Sequence, residues 1–184
     1  MKNILFIVGS LRKESYNLQL SKYVSELLKG KASITYLDFR NIPFMNQDLE
    51  NPDIESIKKI KEEVSKADAI WIFTPEYNHS IPGLLKNVLD WLSRKIDGKP
   101  NSRDTVLKDK KTTYSGVAWA SGSKFAQDYL KELLPFIQMN VMDKETSKIK
   151  IKPENVSDGI LTYTEEEKAT ISKQVEDFLS FIEG

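Results

Sequence analysis

Asn3-Ile4-Leu5-Phe6-Ile7-Val8-Gly9-Ser10 decides the fold. The run Ile4 to Val8 is unbroken apolar, contains β-branched residues and stops at glycine, so it is too short for a buried helix and reads as a strand covered on both faces. Ala69-Ile70-Trp71-Ile72-Phe73-Thr74 has the same character. Between the two, residues 15–28 place Leu18, Leu20, Val24, Leu27 and Leu28 near a 3.6-residue period, and residues 33–39 set Ile34, Tyr36 and Leu37 in strand fashion. Asn51-Pro52 reads as a cap with proline at the first helical position, opening a helix whose inner stripe is Ile54, Ile57, Ile60, Lys61 and Val64.

Beyond the third strand, a turn at 75–81 leads to a helix over 82–94 with Leu84, Leu85, Val88, Leu89 and Leu92 on its apolar face. A polar loop follows over 95–111. Residues 112–116 read as a fourth, weaker strand, followed by a helix presenting Phe125, Tyr129, Leu133 and Leu134. The fifth strand is placed at 140–142, with 148–152 as a rival. Thr164 and Glu167 form a capping box for a last helix lined by Ile171, Val175, Phe178, Leu179 and Ile182. Strands alternating with helices require a parallel sheet with right-handed crossovers and helices on both faces, a doubly wound three-layer α/β domain. Ligands bind such sheets beyond the carboxyl ends of the strands. Three turns therefore matter: 9–17, 74–83 and 116–123.

The chain of 184 residues suits one domain over 1–184, against about 150 residues per domain. Its 27 basic and 27 acidic residues cancel, and the pI is about 6.6. No global positive field is available to hold nucleic acid or an anionic bilayer. The absence of cysteine excludes disulfides, thiolate metal sites, iron–sulfur clusters and a cysteine nucleophile, and makes a reducing compartment the simple expectation. The apolar runs fall far short of the roughly 20 residues of a membrane span, and the N-terminus lacks the layout of a secretory signal. A cytoplasmic protein is expected.

The first turn, Gly9-Ser10-Leu11-Arg12-Lys13-Glu14-Ser15-Tyr16-Asn17, offers hydroxyls, an amide, a guanidinium and a helix start, which together make a phosphate cradle. Neither the Gly-x-Gly-x-x-Gly fingerprint nor a Gly-Lys-Ser/Thr loop is present. The plainer reading is that Ser15 caps the helix while Ser10 and Asn17 are solvated. The second turn is stiffened by Pro75 and Pro82, and Gly83 permits close approach at a helix start. Such a loop presents fixed N–H and C=O groups suited to a flat ring with polar edges.

At two blocks the chain resembles the NADPH-dependent FMN reductase family: Gly-Ser-x-Arg-x-x-Ser-x-Asn at 9–17, and Pro-Glu-Tyr-Asn-x-Ser-x-Pro-Gly-x-Leu-Lys-Asn-x-x-Asp-Trp at 75–91. Weaker similarity continues through 122–127 and 158–159. The resemblance implies a flavodoxin-like, five-stranded sheet in the order 2-1-3-4-5. It also implies bound FMN, with Ser10, Arg12, Ser15 and Asn17 around the phosphate. Pro75, Glu76, Tyr77 and Asn78 would lie along the isoalloxazine, largely through backbone, with Ser80 supporting the turn. The third turn, with Val117 and Gly122, would cover the other side; Trp119 and Ser123 there depart from the family's Gly-Gly arrangement.

By the same resemblance, NADPH or NADH supplies hydride, a small acceptor such as a flavin, quinone or azo compound removes it in ping-pong fashion, and the chain forms a homodimer or homotetramer. The competing reading is an electron carrier of flavodoxin type. Such carriers are usually strongly acidic, and this chain is neutral. No catalytic side chain and no metal are expected, because the flavin supplies the reaction. His79 is expected to be a solvated loop residue, Asp38 a turn or cap residue, and Trp71 and Trp91 packing residues. Lys86 and Asp90 are expected to form an ion pair on one helix or a contact across a dimer.

Overall fold

β1 (Asn3–Val8) is central because both of its faces are apolar. Leu5 and Ile7 point into one core, and Ile4 and Phe6 into the other. In the computed structural model, which describes residues 1–50, 52–96 and 104–184, β1 pairs in parallel with β2 (Ser33–Tyr36) and with β3 (Ala69–Phe73). β3 pairs with β4 (Lys111–Ala118). The order β2-β1-β3-β4-β5, all parallel, is that of a flavodoxin-like sheet. The helices α1 (Tyr16–Leu27) and α5 (Glu165–Glu183) cover one face, where Phe6, Trp71, Phe73 and Phe178 pack together. On the other face lie α2 (Glu55–Lys66), α3 (Gly83–Leu92) and α4 (Lys124–Phe136), where Leu85 and Trp91 of α3 share a core with Ile70 and Ile72 of the sheet.

Several elements differ from their sequence reading. The helix expected from Pro52 begins at Glu55 behind an extended Ile54, and Asn51 lies outside the described residues. Pro52 and Asp53 precede the helix because Asp53 is drawn inward to the Lys61 ammonium, 2.6 Å away and buried. The expected polar loop over 95–111 is described only in part. β4 is longer than its expected 112–116, although Thr112, Thr113 and Ser115 look out of place in a core. Thr112 Oγ1 donates to the Lys110 carbonyl (2.9 Å), and Gln174 of α5 accounts for the other two: its amide donates to Thr113 Oγ1 (3.0 Å) and the Tyr114 carbonyl (2.9 Å), and its oxygen accepts from Ser115 Oγ (2.9 Å). Ser115 Oγ also accepts from the Trp71 indole at 3.0 Å. Buried polar groups cost little once every one is paired.

The fifth strand position is shared by both candidate segments. β5 (Asn140–Val141) pairs with the start of β4 and β6 (Lys148–Lys150) with its end. One long strand serves two short ones, so the sheet has six strands. A small hairpin, β7 (Val156–Ser157) with β8 (Ile160–Leu161), turns through Asp158 and Gly159, both at positive φ. Asp-Gly is the sequence signal for such a turn. On α4 the buried face is Ala126, Gln127, Leu130 and Leu134, while Phe125 and Tyr129 are exposed. Thr164 and Glu167 cap α5 reciprocally. Among the described residues, no helix is long and apolar enough to cross a membrane.

Candidate active site

The carboxyl ends of β1, β3 and β4 open onto one cleft of about 470 Å³, within the range of small-ligand sites. Ser10, Arg12, Ser15 and Asn17 line it from the first turn, Pro75, Glu76 and Tyr77 from the second, and Val117 from the end of β4. Asn78, Ser80 and Gly122 are not among its lining residues.

The first turn is built around the start of α1. Ser15 is the N-cap, extended at φ −67°, ψ 130°, and its Oγ accepts from the Leu18 N–H at 3.4 Å. The N–H groups of Tyr16 and Asn17, first in the helix, have no partner within it. The Arg12 guanidinium lies 4.7 Å above the Tyr16 ring. An anion at this end would meet backbone donors, the positive end of the helix dipole and a charge. Asn17 has another task. Its Nδ2 donates to the Val117 carbonyl at 3.0 Å and its Oδ1 accepts from the Val117 N–H at 2.9 Å, tying the first turn to β4. Asn17→Ala leaves both buried backbone groups of Val117 unpaired, and a loss of about 1–3 kcal/mol is expected. Denaturant unfolding checks it; an unchanged midpoint contradicts the bracing role.

The second turn is a tight hairpin. Tyr77 and Ser80 exchange backbone hydrogen bonds of 3.0 and 3.1 Å, with Asn78 at φ 52° and His79 at φ 59° between them. Two successive positive φ values suit asparagine better than most residues. Asn78 and Ser80 therefore shape the turn that carries Tyr77. A Cβ on Gly83 would meet nothing within 4 Å, so close packing does not require that glycine. Crowding occurs instead at Gly116, where a Cβ would lie 1.9 Å from Ser123 Oγ and 2.4 Å from the Thr74 carbonyl.

The third turn covers only 119–123, because Gly116 to Ala118 belong to β4. Gly122 and Ser123 both take positive φ, and Ser123 precedes α4 without capping it by its side chain. Glu76 supplies the missing cap from across the cleft. Its Oε2 accepts from the N–H groups of Phe125 (2.8 Å) and Ala126 (3.3 Å), and its Oε1 from Ser121 Oγ (2.8 Å). The His79 ring stacks on Phe125 with 4.2 Å between centroids, so His79 joins the same two turns. Sequence reasoning missed this clamp, since nothing marks Glu76 and Phe125 as neighbours. It also missed Tyr16, Ser121 and Phe125 as lining residues. Tyr77 (52% exposed) and Trp119 (66%) leave large rings at the mouth. Below the turn, Asn87 accepts from the Met45 N–H at 2.7 Å, and Trp91 donates to the Pro43 carbonyl at 2.9 Å, a packing role. Lys86 pairs with Asp90 at 2.6 Å within α3.

The family profile of NADPH-dependent FMN reductases matches residues 2–152. The chain belongs to that family. It is 32% identical over 148 residues to the 2-hydroxy-1,4-benzoquinone reductase of a Burkholderia species, covering 80% of this chain and 78% of the relative. To the quinone reductase of Pseudomonas putida strain KT2440 it is 37% identical over 141 residues, 76% of this chain and 73% of the relative. The solved flavoenzyme FerB, an NAD(P)H:(acceptor) oxidoreductase from Paracoccus denitrificans, superposes with a TM-score of 0.86 at 31% identity, over 100% of this chain and 98% of that one. The chain is thus an oxidoreductase of a family that uses FMN and NAD(P)H. The cleft suits that cofactor: the start of α1 with Arg12 beside it contributes donors and a charge, and Tyr77, Trp119 and Phe125 contribute aromatic rings.

Proposed function

We propose that this chain passes hydride from NAD(P)H to a small planar acceptor, a quinone first among the candidates, across FMN held in the cleft. The observation that carries the reading is one continuous cavity joining the start of α1 to an aromatic mouth. Ser10, Arg12 and Ser15 would hold the phosphate, and the peptide groups of 75–77 would border the ring. When bound there, FMN would supply the two-electron redox chemistry of the reaction. Glu76 is committed to α4, so its carboxylate fixes the walls rather than moving a proton. Water reaches the open mouth and provides the proton that completes quinone reduction. Tyr77 and Trp119 offer faces for flat substrates. Donor and acceptor would occupy the same open face in turn, which gives ping-pong kinetics.

Purified protein is expected to hold about one FMN per chain and to lose its yellow colour anaerobically on adding NADPH, then regain it with benzoquinone. A flavin that stays oxidised under NADPH overturns the reading. Parallel double-reciprocal lines are expected when donor and acceptor are varied together; converging lines exclude the shared face. For Trp119→Ala, the KM of flat quinones should rise about three- to tenfold, the equivalent of one lost ring contact of roughly 0.5–1.5 kcal/mol. An equal change for small non-aromatic acceptors would remove Trp119 from acceptor binding.

A further inference from the structure

A second concavity, of about 370 Å³, lies on the β2 side of the first turn. Ser10 and Arg12 line both it and the cleft, so the two meet at that turn. Its exposed apolar surface comes from Leu11 and Tyr36, and its charge from Arg12, Lys13, Asp38 and Arg40. Three cations face one carboxylate in a chain whose net charge is zero.

Arg40 is held in place. Its Nε donates to Asp38 Oδ1 at 2.9 Å and its Nη2 to Oδ2 at 2.8 Å, while its backbone N–H reaches Oδ1 at 3.3 Å. These hydrogen bonds keep the Asp38 carboxyl low, at about 2, so the pair stays charged at any working pH. The fork uses two of the five N–H donors of a guanidinium, and the side chain is 68% exposed. Asp38 thus orients a planar donor set toward the groove without consuming it. Such a fork matches a phosphate monoester, whereas a bare ribose diol would gain only from the carboxylate. The residues lie just past the second strand, where α/β sheets that bind dinucleotides discriminate the adenosine ribose.

We propose that this groove takes the 2′-phosphoadenosine end of NADPH, with Arg40 and Lys13 on the 2′-phosphate, adenine against Leu11 and Tyr36, and the pyrophosphate passing Arg12. The inference rests on the reading that nicotinamide reaches FMN in the adjoining cleft, and it makes the chain selective for NADPH over NADH.

The test titrates FMN-loaded protein calorimetrically with adenosine 2′,5′-bisphosphate and with 5′-AMP. The bisphosphate is expected to bind at least about tenfold more tightly. Arg40→Ala and Lys13→Ala should each shrink that preference, and each should lower the ratio of kcat/KM for NADPH over NADH by roughly tenfold, about 1.4 kcal/mol. Arg40→Lys should recover part of it. Equal binding of the two nucleotides, or a ratio untouched by either alanine variant, overturns the groove assignment. Failure of both nicotinamides to bleach the flavin overturns the reductase reading instead, so the two failures are told apart.

Discussion

Glu76→Ala is expected to lower the thermal midpoint by about 5–10 °C and to weaken FMN retention by at least about tenfold. The carboxylate accepts three hydrogen bonds, from Ser121 Oγ and from the Phe125 and Ala126 N–H groups. Hydrogen bonds to a charged group contribute about 1.5–3 kcal/mol each, but bonds sharing one side chain do not add fully, so roughly 2–3 kcal/mol is the net expectation. For a chain of this size each kcal/mol moves the midpoint by about 2–4 °C. The loss is large because α4 has no replacement: Ser123, its N-cap residue, sits in the left-handed region and caps nothing with its side chain. With the clamp gone, the third turn loses its fixed distance from the second, and the cleft between them loses its width. Glu76→Gln keeps the shape with one acceptor fewer and should fall between the two. Scanning calorimetry and flavin-fluorescence titration read both effects. A midpoint within about 1 °C of the parent would show that the clamp contributes no stability.

Gly116→Ala is expected to do more damage still, about 3 kcal/mol or more, with loss of bound flavin. The added carbon would lie 2.7 Å from Ser123 Cβ and 2.4 Å from the Thr74 carbonyl as well as against Ser123 Oγ. A side-chain oxygen can rotate away, but a backbone carbonyl cannot. Here the backbone is pinned on both sides: the Thr74 N–H donates to the Ser115 carbonyl at 2.9 Å, and the Gly116 N–H to the Ser147 carbonyl at 3.0 Å. Overpacking of this kind is relieved only by moving main chain. The chain that would move carries the second and third turns, so stability and flavin binding should fall together. Gly83→Ala is the internal control. Its Cβ meets nothing within 4 Å at the first position of α3, and alanine favours a helix over glycine, so an unchanged or slightly raised midpoint is expected. If the two variants melt alike, crowding at Gly116 is not the reason for its glycine.

Much of this was open to reading along the chain. The runs Ile4 to Val8 and Ala69 to Phe73 can be strands only if both faces are covered, because no polar position interrupts them. That requirement, with the amphipathic stretches between, already implies the three-layer sheet and the location of its ligand site. The Ser15 cap and the Thr164–Glu167 capping box are local hydrogen-bonding devices, legible because their partners lie three residues away. β4 was less legible, since Thr113 and Ser115 are acceptable inside only because Gln174, some sixty residues later, pairs with both hydroxyls.

Local order, then, was determined by the sequence itself: where strands and helices lie, which of their faces are apolar, and which three turns meet at one edge of the sheet. Tertiary structure alone decided what those turns do to one another. Glu76 on the N-terminus of α4, Asn17 on Val117, His79 on Phe125 and the Arg40 fork beside the first turn each depend on the side chain's reach or on contacts between distant segments. Periodicity and capping report the conformation of neighbours in sequence, and no local signal encodes the distance at which two separately folded loops will finally stand.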